Sequence, residues 1–160
     1  MNKGIIITIG VTVSIIGLFA WGNNSQKNAI INFKNTEVYC LTNGHQSLAD
    51  HIHPELEITI DGEPKTIPSN IGIDSNCMSE IHTHDSTGII HIESVIPGRV
   101  RDFNMSHFFS VWDKSHIRDG YDLEIIQDGE TKNSIEDVEF IDLSKIEFKY
   151  TTKNSDEVSE

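Results

Sequence analysis

The chain has 160 residues, enough for one domain once an apolar N-terminal segment is set aside. Its 25 acidic and 12 basic residues give a formal net charge of −13 at pH 7, with the eight histidines counted as neutral. This charge argues against nucleic acid and anionic lipid headgroups as partners, because it would repel both.

The N-terminal segment from Gly4 to Trp21 carries no charged residue. An uncharged run of this length can cross a bilayer as a helix, and it is longer than the core of an ordinary signal peptide. Lys3 before the run favours a cytoplasmic N-terminus. We therefore expect residues 1–22 to be a single-pass transmembrane anchor or a signal segment, with residues 4–21 in the bilayer. Ala20-Trp21-Gly22 leaves signal-peptidase cleavage open.

The remainder divides into three parts by composition. Residues 23–37 are expected to be a polar linker and residues 152–160 a disordered polar tail. Between them, residues 38–151 are expected to form one domain outside the cytoplasm.

Alternating apolar residues predict the first strands of this domain. Val38 to Leu41 is a short candidate, and Leu56 to Ile60 is a clear one. Asp61-Gly62 then predicts a hairpin turn, followed by a return strand over Lys65 to Ile67. A second hairpin is expected from Glu80 to His84 and from Gly88 to Ser94, with turn chemistry at its tip.

One helix and further strands complete the predicted elements. Between Phe103 and Lys114, the apolar residues Met105, Phe108, Phe109 and Trp112 recur at helical spacing. Strands are expected from Tyr121 to Ile126 and within Val138 to Tyr150. This order predicts an α+β fold, a small mixed β-sheet with one covering helix. The segment Asp142 to Phe148 resembles the closing strand of a β-grasp fold.

Two cysteines, Cys40 and Cys77, are present in a chain expected to enter an oxidising compartment. A disulfide between them is the default expectation. The alternative is that Cys77 is a thiolate ligand of copper or zinc.

The segment from Cys77 to Glu93 concentrates groups that bind transition metals. In the predicted hairpin, His82 lies opposite His91, and His84 and Glu93 share their face. The isoleucines between them would face the core. His82, His84 and His91 are therefore the main candidate ligands, and Glu93 is a possible additional one.

A second His-x-His pair, His51 and His53, completes the candidate ligands if its strand pairs beside the hairpin. Asp85 is a possible additional ligand, although its position favours a turn-stabilising role. Single histidines elsewhere, such as His45, His107 and His116, are more often hydrogen-bonded residues than ligands. No catalytic residue is assigned.

Several motifs together resemble a family of membrane-anchored or secreted domains of archaea and bacteria. They are His51-x-His53, the string Ile81-His-Thr-His-Asp-x-Thr-Gly-x-Ile-His-Ile-Glu93, and Phe108-Phe-x-x-Trp112. The resemblance implies a small extracytoplasmic domain after a membrane segment, and it carries no activity. The chain departs from it at Asn104 to His107, where relatives tend to have a Leu-Gly turn into the helix.

The leading functional hypothesis is an outward-facing domain that binds copper or zinc, as a carrier, a store or an accessory subunit of a metalloenzyme. One alternative is a non-catalytic interaction subunit beside larger membrane-protein subunits. A cupin-like metalloenzyme is less favoured, because the residues around Glu57 and from Pro97 to His107 match the cupin pattern poorly.

Overall fold

The structure is a computed structural model that describes residues 30–41 and 44–153. Among these residues, no helix has the length and apolar character needed to span a bilayer. The predicted membrane segment 4–21 lies outside the described residues, as do residues 154–160 of the predicted tail.

The described residues form two β-sheets and one α-helix, which agrees with the α+β prediction. Two 3₁₀ turns, Arg99–Asp102 and Ile135–Asp137, lie between these elements. The elements in chain order are β1 (Asp50–Ile52), β2 (Glu55–Ile60), β3 (Glu63–Lys65), β4 (Ile81–His82), β5 (His91–Ser94), α1 (Met105–Trp112), β6 (Tyr121–Gln127), β7 (Glu130–Lys132) and β8 (Lys145–Thr152).

The larger sheet has five strands in the order β3-β2-β8-β6-β7. Its central pair, β2 and β8, is parallel, and the other pairs are antiparallel. The two hairpins turn at Asp61-Gly62 and Asp128-Gly129, where all four residues have positive φ. This is the backbone that a two-residue hairpin turn requires, and the Asp-Gly dipeptide adopts it readily.

Helix α1 covers this sheet through its aromatic residues. The rings of Phe109 and Phe148 on β8 lie 5.5 Å apart, and both side chains are buried. The helix begins after Asn104, whose side chain accepts a hydrogen bond from the backbone N–H of Ser106, while the Asn104 N–H donates to Nδ1 of His107. The segment Asn104 to His107, where the sequence departs from the motif described above, therefore forms a complete N-terminal cap.

The smaller sheet has three antiparallel strands in the order β1-β5-β4. His82 pairs with His91, which confirms the register predicted for the second hairpin. Ile81, Ile90 and Ile92 are fully buried on the other face and join the same hydrophobic core as α1.

The expectation of a single mixed sheet is corrected by this arrangement. β2 pairs with β8 rather than beside the histidine hairpin, and the separate strand β1 takes that place along β5. All six residues of β2, Glu55 to Ile60, pair with residues of β8. The segment just before β5 forms a single bridge to β2, between Ile89 and Glu55.

Two glycines allow segments to approach closely around the smaller sheet. Gly72 has φ of 75°, and a Cβ atom there would collide with the carbonyl oxygen of Ile81 on β4. Gly88 has φ of 93°, and a Cβ atom would collide with the Leu56 carbonyl oxygen on β2. Both positions combine a left-handed backbone with a contact that only glycine permits.

The segment before β1 also contributes to the core. Phe33, within the expected linker, is buried with Val38. The strand expected from Val38 to Leu41 forms single bridges at Tyr39 and Cys40 instead of a ladder.

Candidate metal centre

Six histidines converge on the polar face of the three-stranded sheet. His91 comes from β5, and His82 and His84 come from the end of β4 and the residues after it. His51 lies on β1, and His53 is the first residue after this strand. His45 lies in the loop before β1. Because alternate residues of a strand share a face, each His-x-His pair presents both rings to the same side.

His82 forms the buried floor of this cluster. Its side chain is fully buried, and its Nδ1–H donates a hydrogen bond to the Ser79 carbonyl oxygen at 2.9 Å. The proton on Nδ1 leaves the Nε2 lone pair facing the cluster, 3.1 Å from Nε2 of His84. A backbone carbonyl that fixes the tautomer of a histidine is the usual support of a metal ligand.

The distances between imidazole nitrogens suit a shared ion. Two nitrogens bound to one tetrahedral zinc ion at about 2.0–2.1 Å lie about 3.3 Å apart. His82 and His84 meet this value with 3.1 Å, and Nε2 of His51 lies 3.4 Å from Nδ1 of His91.

Glu93 supplies the one carboxylate at the centre of the cluster. Its side chain is fully buried, and its oxygens lie 2.9 Å from Nδ1 of His45 and 2.9 Å from Nε2 of His51. His91 and His82 are farther away, with nitrogens 3.7 and 4.0 Å from Oε1. The imidazoles of His45 and His51 therefore lie within hydrogen-bond distance of this buried carboxylate.

Burial keeps the two facing histidines neutral. Burial, together with the neighbouring imidazoles of His84, His91 and His45, lowers the pKa of His82 to about 3. Burial likewise lowers the pKa of His91 to about 4, with His84 and His53 among its neighbours. Neutral imidazole is the form that binds a metal, so these nitrogens need not lose a proton at neutral pH.

His45 is the cluster residue that the sequence did not identify. It follows no strand or helix pattern, so periodicity carries no signal for it. The disulfide between Cys40 and Cys77 ties its loop to the segment that leads into β4. The N–H of Ala49 also donates to the Ser94 carbonyl oxygen on β5, which attaches the end of the loop to the edge of the β1–β5 ladder. The sequence offered one indication that His45 lies near the cluster, namely its closeness to Cys40 and therefore to the expected disulfide.

The other candidate residues have separate roles. Cys77 is in the disulfide, so the thiolate alternative is excluded. Asp85 accepts hydrogen bonds from the N–H and the hydroxyl of Thr87, which holds the turn. The backbone N–H of His53 donates a hydrogen bond to the Asp142 carboxylate at 2.9 Å. His107 lies outside the cluster, in the cap of α1.

A buried ion pair supports the strands behind the histidines. Arg99 contacts both oxygens of Glu80 at 3.0 to 3.1 Å, and its guanidinium lies 3.8 Å from the centre of the Tyr39 ring. Glu80 also accepts from the Ser94 hydroxyl and the Tyr39 N–H. The Arg99 guanidinium thus compensates the charge of the buried Glu80 carboxylate.

No family model matches the chain, and neither a curated protein nor a solved structure resembles it significantly. The structure itself shows an α+β domain whose clustered histidines and glutamate can hold a metal ion.

Proposed function

We propose that the domain binds copper or zinc as a carrier, a store or an accessory subunit of a metalloenzyme. The observation that carries the proposal is the geometry of His82, whose Nδ1–H is fixed by the Ser79 carbonyl while its Nε2 faces His84 at 3.1 Å. Imidazole-rich sites suit zinc and copper, whereas calcium and magnesium require several oxygen ligands.

The exposure of the cluster favours an exchangeable ion. His82 and Glu93 are fully buried, but the side chains of His45 and His51 are 50% and 40% exposed. An ion can therefore enter from solvent and reach a fixed floor. This suits delivery or storage better than a sealed structural site.

The placement of the domain is also part of the proposal. We expect residues 4–21 to anchor it in a membrane, facing outward, where larger membrane-protein subunits are candidate recipients of the ion.

The parallel pair β2 and β8 between two hairpins supports a β-grasp-like arrangement, with the histidine hairpin inserted before α1.

Equilibrium binding to the full-length protein in detergent tests the function, with a chelator competing for copper or zinc. The variant His82→Asn retains an N–H near the Ser79 carbonyl and lacks the Nε2 ligand. Its affinity should fall at least tenfold, because even the loss of a residue that only supports a ligand costs about 10–100-fold. His116→Ala is the matched control, because it removes an imidazole outside the cluster. Failure of the wild-type chain to take up either metal stoichiometrically would refute the proposal, as would equal affinities of wild type and His82→Asn.

A further inference from the structure

The six clustered histidines divide into two triads that share no residue. The first triad is His45, His82 and His84, and the second is His51, His53 and His91. Within each triad, one nitrogen from each ring lies within 4.8 Å of the others. A single tetrahedral ion takes four ligands, so six imidazoles exceed what one ion can use.

The triads come from different parts of the fold. The first combines the loop before β1 with the end of β4, and the second combines β1 with β5. They meet where His82 faces His91 across the β4–β5 ladder, with ring centroids 5.3 Å apart. Two sites built this way are adjacent while their ligands remain distinct.

Glu93 lies between the triads. Its carboxylate contacts His45 and, at 4.0 Å, His82 from the first triad, and it contacts His51 and His91 from the second. In the described part of the chain, every basic side chain within 4.0 Å of this carboxylate is a histidine. A carboxylate has two oxygens and about four lone-pair directions, so it can bind two cations at once.

From this arrangement we propose that the cluster is a two-ion centre, with one copper or zinc ion on each triad and the Glu93 carboxylate bridging them. The inference rests on the proposed metal-binding function and adds its stoichiometry and its bridge. Two cations on either side of Glu93 also provide the positive charge that a fully buried carboxylate requires.

Metal stoichiometry is the first test. Full-length protein is loaded with copper(II) or with zinc(II), dialysed and analysed by native mass spectrometry and elemental analysis. We expect two ions per chain for wild type and for His116→Ala, and one ion per chain for His84→Ala and for His53→Ala. One ion per wild-type chain would overturn the two-ion centre and leave metal binding intact, whereas no ion would overturn the proposed function itself. Wild-type stoichiometry decides the question even if a variant fails to fold.

Magnetic coupling tests the bridge. In wild type loaded with two copper(II) ions, electron paramagnetic resonance should show less intensity than two isolated ions or a half-field signal from coupled spins. Glu93→Gln should weaken this coupling in chains that still hold two ions. Two uncoupled copper signals of full intensity in wild type would overturn the assignment of Glu93 as the bridge.

Discussion

His45 and His82 each lie five residues after one half of the disulfide, and their ring centroids are 5.9 Å apart. The disulfide thus joins two segments of the same length at their first residues, Cys40 and Cys77. The last residues of these segments, His45 and His82, lie close together in the cluster. The covalent link and the candidate metal centre belong to one local arrangement.

Removing the disulfide should therefore affect both stability and metal binding. For a closed loop of 37 residues, chain-entropy arguments give a loss of about 3–4 kcal/mol in the free energy of unfolding. We expect Cys40→Ala/Cys77→Ala to unfold at lower denaturant concentration and to bind copper or zinc more weakly, because the loop that carries His45 is released. Chemical unfolding and chelator competition measure the two effects, and reductant added to wild type should reproduce them. Unchanged affinity in the folded double variant would show that His45 is positioned without the bond.

Acid should destabilise the metal-free protein at a pH set by the buried histidines. The folded-state pKa values of His82 and His91, about 3 and about 4, lie below the ordinary value of 6.5 to which unfolding returns them. The unfolded chain therefore binds more protons below pH about 6.5. The stability contributed by these neutral rings is present above that pH and is lost as the pH falls toward about 4, by up to about 1.4 kcal/mol per pH unit for each ring.

Urea unfolding in the presence of a chelator, from pH 7 to about pH 5, measures this dependence while most carboxylates remain ionised. His82→Asn should show a shallower dependence, because one of the two rings is absent. An identical slope in the variant and in wild type would contradict the assignment to His82.

The ion pair behind the cluster should matter for folding. Glu80→Gln leaves the guanidinium of Arg99 without its partner in a site where Glu80 is fully buried, and breaking a buried pair in this way costs about 3–5 kcal/mol. Glu130→Gln is the matched control, because Glu130 pairs with Lys132 at an exposed position where such pairs contribute about 0–1 kcal/mol. Denaturant unfolding compares the two variants. Similar losses would mean that burial of the Glu80 pair has no energetic weight.

Gly72 offers a test of the contact with β4. In Gly72→Ala the new methyl group meets the carbonyl of Ile81 and lies near His82. Gly120→Ala has a similar positive φ, of 81° against 75°, but no atom within 4 Å of the new methyl group. The control should lose about 1–2 kcal/mol from backbone strain alone. Gly72→Ala should lose clearly more stability and also bind metal more weakly, as measured by thermal unfolding and metal competition. Equal effects would place β4 farther from Gly72 than the structure has it.

The local parts of this architecture could be predicted from the sequence. The register of His82 with His91 followed from residue alternation on both sides of a polar turn, and the hairpin at Asp61-Gly62 followed from its dipeptide. Helix α1 begins at Met105, two residues later than its pattern suggested, because Asn104 caps it.

The non-local parts could not be predicted. The parallel pairing of β2 with β8 joins segments separated by about ninety residues. The resemblance of Asp142 to Phe148 to a β-grasp closing strand indicated this strand, but residue alternation did not identify its partner. The burial of Glu93 and His82 was also missed. Alternation predicts a polar outward face, whereas the imidazoles of His45 and His51 lie 2.9 Å from the Glu93 carboxylate and cover it.

The shortest connection between the two sheets has two residues, since β1 ends at Ile52 and β2 begins at Glu55. His53 is one of these two residues, and its backbone bonds to Asp142 and Leu143 on the approach to β8. A partner that shifted one sheet against the other would thus displace His53 from His91 and change the affinity for an ion. By thermodynamic reciprocity, the ion would change the affinity for that partner by the same factor. If the domain binds both an ion and a partner as proposed, this short connection would couple the two binding events.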